Sequence, residues 1–300
     1  MWKPNTLSYH IHVGKWFWDF AFMQNIEHQV FAISLISNNQ YPLCIQSFMN
    51  IKENPIAQKI IRYFIKAIVG FFVISTFLVF LFRFVPIPGT FLMFARYTED
   101  RPVNAKPYIF QKEWVSIDDI SENLILAVVC SEDQRFEEHV GFDIDAIEKA
   151  INANKKLKKK GKPIHGASTI SQQTAKNVFL WQGRNFIRKG FEVYFTLLIE
   201  TIWSKKRIME VYLNVIEMGD GVFGAEAASN TYFGKHAKDL SPREAALIAA
   251  ILPNPREWSA TNPTAFIRKK QAWIMRQMSY WTEGIDLDGD SSEAPEDKRE

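Results

Sequence analysis

Cysteine is nearly absent from this chain of 300 residues: Cys44 and Cys130 are the only two. They lie on either side of its one long apolar run. In a spanning topology they face different compartments and cannot pair. Two such residues support neither a disulfide framework nor a zinc cluster, and each reads as a small buried apolar residue. Histidine is equally thin around the polar motifs, and His139 has no partner at ligand spacing, so it reads as a structural hydrogen bonder. Zinc-finger and RNP-type patterns are missing, which argues against nucleic acid as a partner. Strand-like alternation is scarce and no internal repeat is visible, so the chain reads as mainly α. No Ser-x-x-Lys and no Lys-Thr-Gly occurs. That absence, with too few residues after Trp281, excludes a penicillin-sensitive transpeptidase domain.

What is present begins with the apolar run. Ala67 to Phe82 is uncharged and bracketed by Lys66 and Arg83. Sixteen helical residues reach ~24 Å, short of a ~30 Å hydrocarbon core. Ile60 to Ile65 and Phe84–Val85 extend it, and the bracketing cations can snorkel outward. Pro86 and Pro88 should stop the helix. The division expected is 1–59 as an N-terminal cytoplasmic extension, 60–85 as a transmembrane helix and 86–107 as a linker. A domain at 108–281 and an acidic, disordered tail at 282–300 complete it. Lys52, Lys59, Arg62 and Lys66 outweigh Arg83, Arg96 and Arg101, so the N-terminus should stay cytoplasmic and the domain should lie outside.

The net charge of +3 conceals a polarity: Glu283 to Glu300 carries eight acids against two bases, leaving +9 for the rest. A basic body beside a membrane favours anionic headgroups or phosphates. The run Lys155 to Lys162 reads as a solvated loop, with attraction to anionic lipid as the alternative. Asp286 to Asp290 lacks the glycine position and the closing glutamate of a calcium loop.

Helix signals punctuate the domain. Ser121 and Asp143 should cap two helices, Ser241-Pro242-Arg243-Glu244 is a capping box, Pro253 a stop, and Asn262-Pro263 an opening. Glu132 falls near a helix end beside Asp133, a place suited to proton transfer, although such an acid taken alone is more often a surface residue than a catalyst. Gly166-Ala167-Ser168-Thr169 can cap a helix and offer N–H groups to an anion. Gln172 and Gln173 add amides of the kind that hold sugar hydroxyls, and Lys176 shares the face of Gln172. Phe179, Trp181, Phe186 and Ile187, interleaved with Arg184, read either as a segment dipping into headgroups or as a core hairpin. Glu192 follows Arg188 and Lys189 by about one turn: an ion pair, or a buried catalytic partner.

These segments occur in an order with a precedent. Glu132-Asp133-x-x-Phe136-x-x-His139-x-Gly141 comes first, then Gly166-Ala167-Ser168-Thr169-Ile170-x-Gln172-Gln173, then Arg188-Lys189-x-x-Glu192. Lys206-Arg207-Ile208-x-Glu210-x-Tyr212-Leu213-Asn214 and Gly221-Val222-x-Gly224-x-Glu226-x-Ala228 follow. Together they resemble the motifs of the peptidoglycan glycosyltransferases, glycosyltransferase family 51, over about Trp114 to Trp281, in the layout of its monofunctional members. The resemblance implies a mainly α fold: a lysozyme-like lobe with a smaller membrane-facing jaw lobe, preceded by one transmembrane helix. It implies polymerisation of lipid II into β-1,4-linked glycan strands, with inversion and release of undecaprenyl pyrophosphate. Glu132 would be the base and Glu192 the second acid. Lys176 and Arg184 would face the donor pyrophosphate, and Ser168, Thr169, Gln172, Gln173, Arg188, Lys189 and Asn214 would complete the substrate site.

No metal ligand set is implied and no cofactor firmly so, a divalent cation (Mg2+ or Mn2+) being left open. The partners implied are lipid II, the growing glycan strand, membrane lipid and cell-wall or division proteins, with no nucleic acid. The location implied is the bacterial inner membrane, single-pass, with a periplasmic domain. Two rival readings stand beside this one. A glycan-cleaving enzyme of the same fold needs a protonated acid and gains nothing from a phosphate cradle. A silent membrane-tethered scaffold would have no use for both carboxylates and both cations.

Overall fold

Asn54 and Pro55 start the first helix, five residues ahead of the apolar stretch expected to begin it. Asn54 Oδ1 accepts from the N–H of Ile56 at 2.9 Å and of Ala57 at 3.3 Å, and Pro55 takes the first helical position. In the computed structural model, which describes residues 54–99, 110–159, 166–183, 185–281 and 284–287, this helix, α1, runs Pro55–Phe82. It is long and apolar enough to cross a membrane. Residues 1–53, most of the lysine run beyond Lys158, and Arg184 lie outside the described residues.

The chain divides into two units, Met1–Val73 and Ile74–Glu300. In the second, the C-terminal end of α1 is closed by side chains from far along the sequence. The Trp203 indole N–H donates to the Val79 carbonyl at 2.7 Å. The Arg207 guanidinium donates to the carbonyls of Phe82 (2.8 Å) and Val85 (2.6 Å). These acceptors would otherwise be orphaned at a helix end. Pro86 and Pro88 follow, as expected, but the segment read as a linker contains a further helix, α2 (Phe91–Tyr97). Thr90 caps it, and it buries Leu92 and Met93 while exposing Phe91, Phe94 and Tyr97.

The domain is mainly α, as expected. After strand β1 (Gln111–Lys112) and a 3-10 turn at Ile117–Asp119 come α3 (Glu122–Glu132), α4 (Ile144–Lys159), α5 (Ile170–Phe179), α6 (Phe186–Ile202) and α7 (Lys205–Val215). Strands β2 (Glu217–Gly219) and β3 (Val222–Phe223) precede α8 (Ala225–Phe233), α9 (Pro242–Ile251) and α10 (Ala265–Met278). Ser121 caps α3, Asp143 accepts from Ala146 N–H at 2.8 Å at the start of α4, and Ser241 with Glu244 forms the box opening α9. The opening at Asn262-Pro263 is corrected: Thr264 caps α10.

Two helical groups make the core. Leu124, Ala127, Val128 and Val129 of α3 pack on Ala245, Ala246, Ile248 and Ala249 of α9, whose small side chains allow close approach, and α10 closes that group. Helix α5 packs between α6 and α7 in the other. The sheet, ordered β1-β3-β2, is small: β3 lies parallel to β1 and antiparallel to β2. Gly224 belongs there by necessity, since at φ +86° a Cβ would meet the Asn214 carbonyl oxygen at 2.9 Å.

Two expectations change. Phe179 is a core residue, its ring stacked on Phe195 at 4.6 Å and near Trp203, whereas Phe186 is 98% exposed and Ile187 71%. The expected headgroup segment therefore splits: Phe179 packs inward, while Trp181, Phe186 and Ile187 face out. The tail expected to be disordered packs at 284–287. Ile285 and Leu287 lie against the core, and the Leu287 carbonyl accepts from Lys206 N–H at 3.2 Å. The two apolar side chains and an unsatisfied donor at the start of α7 account for it.

Candidate active site

The acidic motif at the end of α3 divides its labour. Asp133, the C-cap, is buried, and its carboxylate pairs with His139 Nε2 at 2.9 Å and accepts from Ile170 N–H at 2.9 Å. It thereby ties the end of α3, the following loop and the start of α5 together, and His139 has the structural role expected of it. Gly141 closes that loop at φ +78°, where a Cβ would lie 2.7 Å from Thr196. Thr169 Oγ1 donates to the Gly141 carbonyl at 2.7 Å. Phe136 is fully buried, with the Lys205 ammonium 4.6 Å from its ring centre.

Glu132 and Asp133 both line the cleft, but the Asp133 carboxylate is committed to His139 and Ile170. Gln173 Nε2 donates to Glu132 Oε2 at 3.1 Å and Ser131 Oγ to its Oε1 at 3.3 Å. Behind Gln173, the Tyr212 hydroxyl donates to Gln173 Oε1 at 3.4 Å. Burial, reinforced by Glu132 and Asp133, holds the Tyr212 phenol well above its usual pKa, so it stays a donor. Amide and phenol together fix the carboxylate in one orientation. Tyr212 belongs to a recognised motif, but nothing in its spacing marked it as part of the site.

The cleft beside Glu132 measures ≈ 710 Å³ and is lined by Gly166, Ser168 and Thr169 from one side and by Pro253, Lys270 and Trp273 from the other. Lys270 and Trp273, one helical turn apart on α10, were not anticipated. They follow the last quoted motif by some forty residues, and only the packing of α10 on α3 brings them here.

The second acid lies on α6. Glu192 is 3% exposed, held by Arg188 Nη1 at 3.0 Å and by the Lys189 ammonium. Both sequence readings of Glu192 are thus combined: it is ion-paired and buried. Lys176, on α5, lies in the electrostatic field of both acids. Burial pulls its pKa below the usual lysine range, Glu192 pushes it back up, Arg188 and Lys189 lower it, and Glu132 raises it. The buried Nε of Arg188 has no hydrogen-bond partner.

The structure therefore brings Glu132, Gln173, Lys176, Arg188, Lys189 and Glu192 together, with Ser168 on the cleft wall. Three expected substrate contacts serve the scaffold. Gln172 and Thr169 form a capping box at the start of α5, with Gln172 Oε1 accepting from Thr169 N–H at 3.1 Å. Asn214 is fully buried, accepting from Val115 N–H and donating to the Val115 carbonyl, both at 2.9 Å. The capping side chain of Gln172 and the buried bracketing amide of Asn214 hold the scaffold; Thr169 does so while still lining the cleft.

Among the described residues no group of three or more His, Cys, Asp or Glu side chains could hold a metal ion. The site instead pairs an oriented carboxylate, able to accept a proton, with a cationic cluster able to receive negative charge.

A family model described as Transglycosylase matches residues 101–279. A protein from Pseudomonas fluorescens called a biosynthetic peptidoglycan transglycosylase is 51% identical over 218 residues, covering 73% of this chain and 89% of its own. Proteins of the same name from Haemophilus influenzae and Mannheimia succiniciproducens are 55% and 50% identical, covering 67% and 77% of this chain and 80% and 92% of theirs.

Proposed function

Because the chain belongs to the transglycosylase family, we propose that it is a peptidoglycan glycosyltransferase that polymerises lipid II into glycan strands for the bacterial cell wall. The observation that carries this reading is the pairing of Glu132, oriented by Gln173, with the Lys176–Arg188–Lys189 cluster around Glu192. A reaction that expels a pyrophosphate needs a base at one end and fixed positive charge at the other.

In this reading Glu132 takes the proton from the 4-hydroxyl of the acceptor's N-acetylglucosamine. The freed oxygen attacks the anomeric carbon of the donor strand's terminal N-acetylmuramic acid from the face opposite the leaving group. The bond from that carbon to the pyrophosphate oxygen breaks, and its electron pair departs with undecaprenyl pyrophosphate. Attack from the opposite face inverts the centre and gives a β-1,4 link. Lys176, Arg188 and Lys189, with Arg184 as a further candidate, receive the growing charge, and Glu192 sets their positions. A fixed cation contributes most where charge increases in the transition state. No step runs through a metal ion.

Incubation of the full chain with lipid II in detergent tests the reading. Glycan polymer should accumulate with one equivalent of undecaprenyl pyrophosphate per disaccharide added. Fragments released from finished cell wall, without growth from lipid II, would favour the glycan-cleaving alternative.

Helix α1 supports single-pass anchoring in the inner membrane, with the exposed Trp181, Phe186 and Ile187 as lipid-facing residues of the jaw. The cation bias around α1 supports a cytoplasmic N-terminus and a periplasmic domain. A phosphatase that works only in the periplasm, fused after Glu300, should therefore be active. The same fusion active only in a cytoplasmic reporter format would reverse the orientation and deny the site flipped lipid II.

A further inference from the structure

A reaction joining two diphosphate-linked molecules presents two anions to one base, and the cluster at Lys176 accounts for one. The cleft holds three other cations. Arg135 is engaged with Glu138, Asp143 and Asp145. Lys149 is exposed at the rim. Lys270 differs from both: it is half-buried in the cleft wall, and among the described residues no hydrogen bond or ion pair holds its ammonium.

Its ammonium faces the open cleft with no protein group among the described residues to neutralise it, and is therefore free to meet an anion there. Burial pulls Lys270 below the usual lysine pKa, and the field of Glu132 acts against that shift, which places the cation near the base. Trp273 stands one turn further along α10 and is 42% exposed in the same cleft, offering an apolar ring face to a sugar. The segment that carries both is anchored to the Glu132 loop, since Gln134 Nε2 donates to Gln277 Oε1 at 3.3 Å. Glu132 thus has cations on two sides: Lys176 from α5 and Lys270 from α10.

We propose that Lys270 binds an anionic group of the incoming acceptor, with Trp273 as the platform for its sugar, so that α10 forms the acceptor wall of the cleft. The inference rests on the glycosyltransferase reading and deepens it. It assigns the acceptor's charge to a residue outside the donor cluster.

The test uses the full-length protein, lipid II, and a lipid II analogue lacking the stem peptide. Lys270→Met keeps the apolar stem and removes the charge. Loss of one charge-assisted contact should raise KM about tenfold or more while kcat changes little, and Lys270→Arg should restore it. Because the ammonium has no protein partner, the melting temperature of Lys270→Met should equal or exceed that of the wild type. A rise in KM with both acceptors identifies the diphosphate as the anion; a rise only with the peptide-bearing one identifies a peptide carboxylate. Unchanged KM, or a lowered melting temperature with a parallel loss of kcat, overturns the proposal. Failure of the wild type to polymerise lipid II would instead strike the functional reading on which it rests.

Discussion

Glu132→Gln should reduce lipid II polymerisation by roughly 10²- to 10⁴-fold, the contribution typical of a positioned general base. The substitution preserves size and leaves an acceptor for the amide of Gln173, which donates to Glu132 at 3.1 Å. It removes only the capacity to accept a proton. The surrounding scaffold does not depend on Glu132: Asp133, His139 and Ile170 hold the loop, and Thr169 holds Gly141. Helical content and melting temperature should therefore stay near the wild type while kcat collapses. Polymerisation within a few-fold of wild type by this folded variant would remove Glu132 from the role of base. The corresponding change at Asp133 should behave differently. Asp133→Asn weakens a buried junction of three segments, so loss of stability should accompany any loss of rate.

Lys176→Ala should lower turnover by roughly 10²- to 10³-fold, the range seen when one donor to a developing negative charge is removed. The effect should fall on kcat more than on KM, because the leaving pyrophosphate gains charge as its bond breaks. The pH profile gives a second signature. Burial pulls Lys176 below the usual lysine range despite Glu192 nearby. Its proton is therefore lost at a lower pH than that of a free lysine, and turnover should decline on the alkaline side sooner than an ordinary lysine would dictate. Lys176→Arg holds its charge to higher pH and should carry that limb upward, whatever it does to the maximum rate. Normal polymerisation by Lys176→Ala would make the cation a surface charge, and an alkaline limb unmoved in Lys176→Arg would assign it to another group.

The local order of this protein is written in short-range chemistry. Asn54-Pro55, Ser121, Asp143 and Ser241-Pro242-Arg243-Glu244 each start a helix, because capping involves atoms only two or three residues apart. The apolar run of α1 is equally legible, since its length and lack of charge are properties of one continuous segment. The two acids and their neighbouring cations were also readable: Arg188, Lys189 and Glu192 lie on one helix face at spacings that force them together.

What a polar side chain does with its hydrogen bonds was not readable. Gln172 and Gln173 are adjacent and chemically identical, yet helical geometry turns one back to cap Thr169 and the other toward Glu132. Phe179 and Phe186 flank the same turn, and only packing on Phe82, Phe195 and Trp203, all distant in the chain, draws Phe179 inward. The sequence by itself determined most helix starts, the membrane-length segment and the pairing of Glu192 with Arg188 and Lys189, because each depends on residues within a few turns of one another. Tertiary structure alone decided that Arg207 caps α1, that Tyr212 steadies Gln173, and that Lys270 and Trp273 face Glu132. Those pairings join residues about forty to well over a hundred positions apart. Their geometry is set by how α3, α5, α7 and α10 pack, and no local spacing encodes it.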